Sequence, residues 1–183
     1  KLGDSKITCS GTIFSACKKA HEKGALIIAA HIDEYNGLDE ISYDNIEKIL
    51  DRKYINAIQV VNEDVWKIYE QENNIEEICN ILSQKYGKAI SKDKVKEWHN
   101  AYSLAKKSGL PLLKFSDNPC SEESSEHGLW GIGRDYTWLK MKQKPDLESV
   151  RQALLSYDMR VKIKDNPVYS PSMWIKSVGI YNS

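Results

Sequence analysis

Apolar positions in this chain fall into a few short unbroken runs, separated by longer stretches with helical spacing. The clearest run is Gly24-Ala25-Leu26-Ile27-Ile28-Ala29-Ala30-His31-Ile32-Asp33, which is too short for a long helix and ends in a histidine and an acid. Such a run predicts a buried parallel strand covered by helices on both faces. His31 then stands at the carboxyl end of the strand, where α/β proteins place ligands and acid/base groups. The plainer reading is a histidine that ends the strand and hydrogen-bonds a loop. Ala57-Ile58-Gln59-Val60-Val61 predicts a second strand, with Asn62, Glu63 and Asp64 at the same rim. Leu110-Pro111-Leu112-Leu113-Lys114-Phe115 predicts a third, its proline tolerated near the start, running into Ser116-Asp117-Asn118-Pro119.

Helices are expected between these strands. Ser10 is the expected N-cap of a helix that carries Ile13, Phe14, Cys17 and Ala20 on one face and stops at Gly24. Asp44 is expected to start a short helix with Ile46, Ile49 and Leu50 inward. From Val65 to Tyr86 the pattern is helical with Ile75, Ile78 and Leu82 as its better stripe, and residues 63–95 read as a helical insertion between core units. Ser91 caps a long helix with Val95, Trp98, Tyr102 and Ala105 on one face, ending at Gly109. His99 lies one position from that stripe and reads as a partly buried, hydrogen-bonded histidine, whereas His21 lies on a solvated face. Arg134 to Met141 alternates as a strand, and Pro145-Asp146-Leu147-Glu148 opens a helix with acids in its first turn. Strands alternating with helices imply right-handed crossovers and a parallel sheet, so His31 and Asp117 are expected at one rim.

Composition narrows the chemistry. A length of 183 residues suits one domain of ordinary size, and a formal net charge of zero gives no global field toward nucleic acid or an anionic membrane. Phosphate recognition would have to be local. Cys9, Cys17, Cys79 and Cys120 show no CxxC spacing, which argues against a zinc knuckle and fits reduced thiols in a cytoplasmic protein. No apolar segment approaches the roughly 20 residues needed to cross a bilayer. Between Cys120 and Gly133 lies a long polar stretch with Glu122, Glu123, Glu126 and His127, read as a solvated loop over the rim. The chain opens at Lys1 without a methionine, which suggests part of something longer.

Taken in order, Ala30-His31-Ile32-Asp33, Ser116-Asp117-Asn118-Pro119, Ile132-Gly133-Arg134-Asp135-Tyr136-Thr137-Trp138-Leu139-Lys140 and Leu147-Glu148-Ser149-Val150-Arg151-Gln152-Ala153-Leu154 resemble the later part of a PHP (polymerase and histidinol phosphatase) domain. More narrowly, they are similar to the PHP domain of TrlF-type ATPases, in which a Gly-Arg-x-Tyr-Thr-Trp stretch follows the metal motif. Trp174-Ile175-Lys176-Ser177-Val178 resembles the strand that opens the attached ATPase. The resemblance implies a distorted (β/α) barrel, incomplete here, spanning 1–165, then a linker at 166–172 and the first strand of a following domain at 173–183. It also implies a di- or trinuclear manganese or zinc centre that hydrolyses phosphoesters. His31 corresponds to a metal histidine of that family and Asp117 to the aspartate of its Gly-Ser-Asp-x-His motif. Glu63 and His127 are weaker candidates as ligands. The sequence departs from the family at Pro119, where the motif has histidine, and lacks the amino-terminal His-x-His.

Two functions follow. In one, the chain is part of a metal-dependent phosphoesterase or nuclease, inactive by itself. In the other, it is a degenerate module serving as sensor or scaffold for the attached ATPase. Nucleotide binding by the chain itself has no P-loop to rest on.

Overall fold

The computed structural model describes residues 12–38, 41, 43–50, 54–116, 131–142 and 144–163. Ser10, Cys9, Asp117, Pro119, Cys120, His127, most of the polar stretch up to Gly133, and the expected linker and final strand lie outside them. Helix α1 spans Ile13–Glu22, and its N-cap is Thr12 rather than Ser10: the Thr12 hydroxyl accepts from Ser15 N–H at 3.2 Å. Gly24 ends the helix with φ +74°, a backbone conformation that costs a residue without Cβ little.

Three short strands follow the apolar runs: β1 (Ile28–Ala29), β2 (Ala57–Gln59) and β3 (Leu112–Leu113). They form one parallel sheet, as expected, and its order is β1-β2-β3, with Ile28 opposite Ala57 and Ile58 opposite Leu112. Helix α2 (Tyr43–Leu50) lies between the first two strands and starts one residue before Asp44; Ile46, Ile49 and Leu50 are buried. Both sheet faces are covered. Ile58 and Leu112 join the larger core, whereas Ala57 and Leu113 pack with Leu154, Leu139 and Val161 on the other face. The first run is less buried than expected, because β1 is a sheet edge and Ile28 stays 40% exposed.

Between β2 and β3 stand α3 (Glu63–Glu72), α4 (Ile75–Tyr86) and α5 (Lys92–Lys107). The single helical stretch expected from Val65 to Tyr86 is broken at Asn73. That residue takes a left-handed backbone, φ 51°, and Asn74 then caps α4 by accepting from Glu77 N–H. A sheet of three short strands cannot bury much apolar surface by itself, and the segment read as an insertion supplies Trp66, Ile78, Leu82, Ile90 and Val95 to the larger core. Ser91 caps α5 as expected, and Val95, Trp98, Tyr102 and Ala105 are buried on one face.

A two-stranded antiparallel ribbon of β4 (Thr137–Leu139) and β5 (Val161–Ile163) closes the described chain, with α6 (Leu147–Leu155) and the single turn α7 (Tyr157–Arg160) between its strands. Strand β5 is not among the strands expected from the sequence, although Val161-Lys162-Ile163 alternates apolar and polar side chains. Helix α6 starts in a capping box: Asp146 accepts from Ser149 N–H while the Ser149 hydroxyl accepts from Asp146 N–H. Among the described residues no helix is long and apolar enough to cross a membrane.

The turn after β1 folds back on itself at Gly37. A Cβ placed there would lie 2.1 Å from the His31 carbonyl oxygen and 3.1 Å from that of Glu34, both main-chain atoms that cannot swing aside. Gly37→Ala is expected to destabilise the fold by about 2 kcal/mol, the usual range for overpacking, measured by urea denaturation. Wild-type stability in that variant would show that the turn can open without cost.

Candidate functional site

The carboxyl rim of the parallel sheet gathers polar side chains from β1, β2 and α4. Past β1 the chain reaches His31, whose backbone sits at φ 30°, a region non-glycine residues enter only in special turns. Its amide donates to Gln59 Oε1 at 3.1 Å, and Gln59 Nε2 donates to the Phe115 carbonyl at 3.1 Å. One buried glutamine thus joins the carboxyl ends of all three strands.

Asp33 is fully buried. Its Oδ1 accepts from Val61 N–H at 2.8 Å; its Oδ2 accepts from Asn62 N–H at 2.8 Å and from Trp66 Nε1 at 2.7 Å. An ionised carboxylate inside a protein is costly unless donors replace its water, and three N–H groups beside the start of α3 do so. The Asn62 amide nitrogen donates to the Asp33 carbonyl at 2.7 Å and to the Tyr86 hydroxyl at 3.0 Å. Tyr86 in turn donates to Glu34 Oε2 at 2.9 Å, and Lys85 Nζ donates to Asn62 Oδ1 at 2.6 Å.

Glu34, Tyr86 and Lys85 carry the electrostatic consequence. Burial raises the Glu34 carboxyl above its ordinary value, against the opposing pull of Tyr86, His31 and Lys85. Burial also raises the Tyr86 phenol, with Glu34 adding to the effect, and lowers the Lys85 ammonium, which Glu34 and Asp33 pull back up. Tyr35 locks the loop from above, edge-on to Tyr86 and Trp98, with Lys88 Nζ 3.4 Å from its ring centre.

The expected site residues are distributed unevenly. His31 is half-buried at the rim. Glu63 opens α3 but pairs with Lys67 at 3.2 Å. Asp117 and His127 lie outside the described residues. Among the described residues no group of three or more His, Cys, Asp and Glu side chains is arranged to hold a metal ion. Lys85 and Tyr86 were not anticipated, and nothing in their local pattern singles them out at the end of α4.

His99 is half-buried on α5, as expected, but among the described residues its Nε2 has no hydrogen-bond partner; Trp66, Tyr69 and Tyr102 surround the ring at 5.6, 4.8 and 6.4 Å. Burial lowers its pKa, opposed by Glu70. His21 is exposed, as expected. Cys17 and Cys79 are free thiols whose pKa values burial raises.

Comparison with protein-family models, with curated proteins and with solved structures finds no match to this chain.

Two substitutions test the network. Asp33→Asn would set an amide NH₂ against N–H donors and is expected to cost about 3 kcal/mol in urea denaturation. Glu34→Gln is expected to act in the opposite direction. A carboxyl raised in the folded state loses stability as pH climbs from the ordinary 4.5 through its folded value, since only the folded form still holds the proton. The variant should therefore be more heat-stable than wild type at neutral pH, with the gap closing toward pH about 4. A gap that is constant with pH would mean that Glu34 ionises freely.

Proposed function

We propose that this chain is part of a PHP-type metal-dependent phosphoesterase domain, a distorted (β/α) barrel attached to an ATPase, with His31 and Asp117 among its metal ligands. The Gln59 bridge supports this reading most directly. It ties the His31 amide to the Phe115 carbonyl, so the chain leaves β3 toward Asp117 from the same rim as His31. The left-handed backbone of His31 adds to the argument, since strained positions cluster at functional sites.

Among the described rim residues, His31 is the imidazole on which such a centre would draw. Asp33 is consumed by three donors, and Glu34 accepts from Tyr86. These residues alone do not fit a divalent-metal cluster, and Asp117 with histidines from elsewhere would have to complete it. When bound, manganese or zinc supplies polarised phosphoryl oxygens and a water acidic near neutrality.

Pro119 favours a second reading, because proline has no nitrogen to offer where the resembled motif carries histidine. In that reading the module has lost its chemistry and acts as a sensor or scaffold for the ATPase.

Phosphoester hydrolysis by the full-length protein with manganese or zinc separates the two. His31→Ala and Asp117→Ala are each expected to lower turnover by more than about 100-fold, the upper range for groups that merely support a ligand. Equal turnover in all three proteins removes both residues from the mechanism. An inactive, well-folded wild type whose Pro119→His variant gains metal affinity supports the scaffold.

A further inference from the structure

We infer that the outward face of the β4–β5 ribbon binds a single strand of nucleic acid. The inference stands without the phosphoesterase reading, since it uses none of the rim residues.

The ribbon has two unlike faces. Thr137, Leu139, Val161 and Ile163 are half-buried, and Leu139 and Val161 pack against Ala57, Leu113 and Leu154 of the main body. The Thr137 hydroxyl also donates to the Lys114 carbonyl at 2.7 Å, fixing β4 beside the end of β3. The alternate positions Tyr136, Trp138, Lys140 and Lys162 are all exposed, as is Arg160 at the end of α7. Strand alternation puts Trp138 and Lys162 on one face, and the register sets them directly opposite each other. The Lys140 amide donates to the Arg160 carbonyl at 2.8 Å, which extends the pairing by one more step.

This face carries two aromatic rings and the cations Lys140 and Lys162, and Arg160 lies exposed at the end of α7, where its carbonyl meets the Lys140 amide. Trp138 is 48% exposed and Tyr136 37%, their ring centres 5.7 Å apart and edge-to-face. None of Lys140, Arg160 and Lys162 enters a salt bridge among the described residues, whereas Lys142 pairs with Asp146 and Arg151 with Glu148. Since the chain as a whole has zero net charge, this concentration of cations is local. Exposed rings interleaved with cations on a rigid strand surface suit unstacked bases and a phosphate backbone together. An acidic peptide would engage the cations and leave the rings unused.

The test is fluorescence anisotropy of a labelled oligothymidylate with the full chain in EDTA, which removes any metal and makes the outcome independent of the rim. The wild type is expected to bind, with affinity falling as salt rises. Trp138→Ala should weaken binding about tenfold. A Lys140→Ala, Lys162→Ala double variant should lower the slope of log affinity against log salt by about 1.4. All three side chains are exposed, and circular dichroism checks that the variants fold. Unchanged affinity in both variants overturns the proposal. So does competition by duplex DNA or polyglutamate as effective as that by unlabelled oligothymidylate.

Discussion

A single buried carboxylate governs how this sheet meets its helices. Asp33 leaves β1 and gathers two main-chain N–H groups ahead of α3 and the indole N–H on its first turn. Negative charge at a helix start is favourable, so the carboxylate also answers the α3 dipole. Asn62, the N-cap residue, makes no capping bond with its own side chain. With Asp33 holding its amide, that side chain is released to bind Tyr86, Lys85 and the Asp33 carbonyl. The polar layer of the rim is thus hung from one side chain.

That arrangement explains why the long helical segment is integral to the fold. Trp66 is held at its indole nitrogen by Asp33, and its ring lies against Tyr102 and His99 of α5. Tyr86 reaches Glu34 from the end of α4, while Tyr35 rests on Trp98. Polar groups at the rim and aromatic groups behind it share the same residues, so the loop after β1 is fixed on both sides.

The parts legible in sequence were those with a local cause. Apolar runs disclosed the three parallel strands; the hydroxyl of Ser91 and the spacing of Val95, Trp98 and Tyr102 disclosed α5. His31 was placed at the rim on the same grounds. Asp33 was visible as an acid at a strand end, but its burial depends on donors 28 to 33 residues away. Lys85 and Tyr86 look like ordinary residues of a helix end until the end of α4 meets Val61 and Asn62 beyond β2. The break at Asn73 is hidden in the sequence because the apolar stripe resumes at Ile75 almost in phase.

The order of the sheet bears on how the chain assembles. Strand neighbours in space are also successive in sequence, and the first crossover is sealed by bonds spanning 28 to 33 residues, whereas the Gln59 link to Phe115 spans 56. Closing a loop costs entropy that grows only with the logarithm of its length. A chain emerging from the ribosome can nevertheless complete the Asp33 cluster through Trp66 before β3 has been synthesised. On that order of synthesis the buried carboxylate is expected to serve as an early nucleus for the later helices and the third strand.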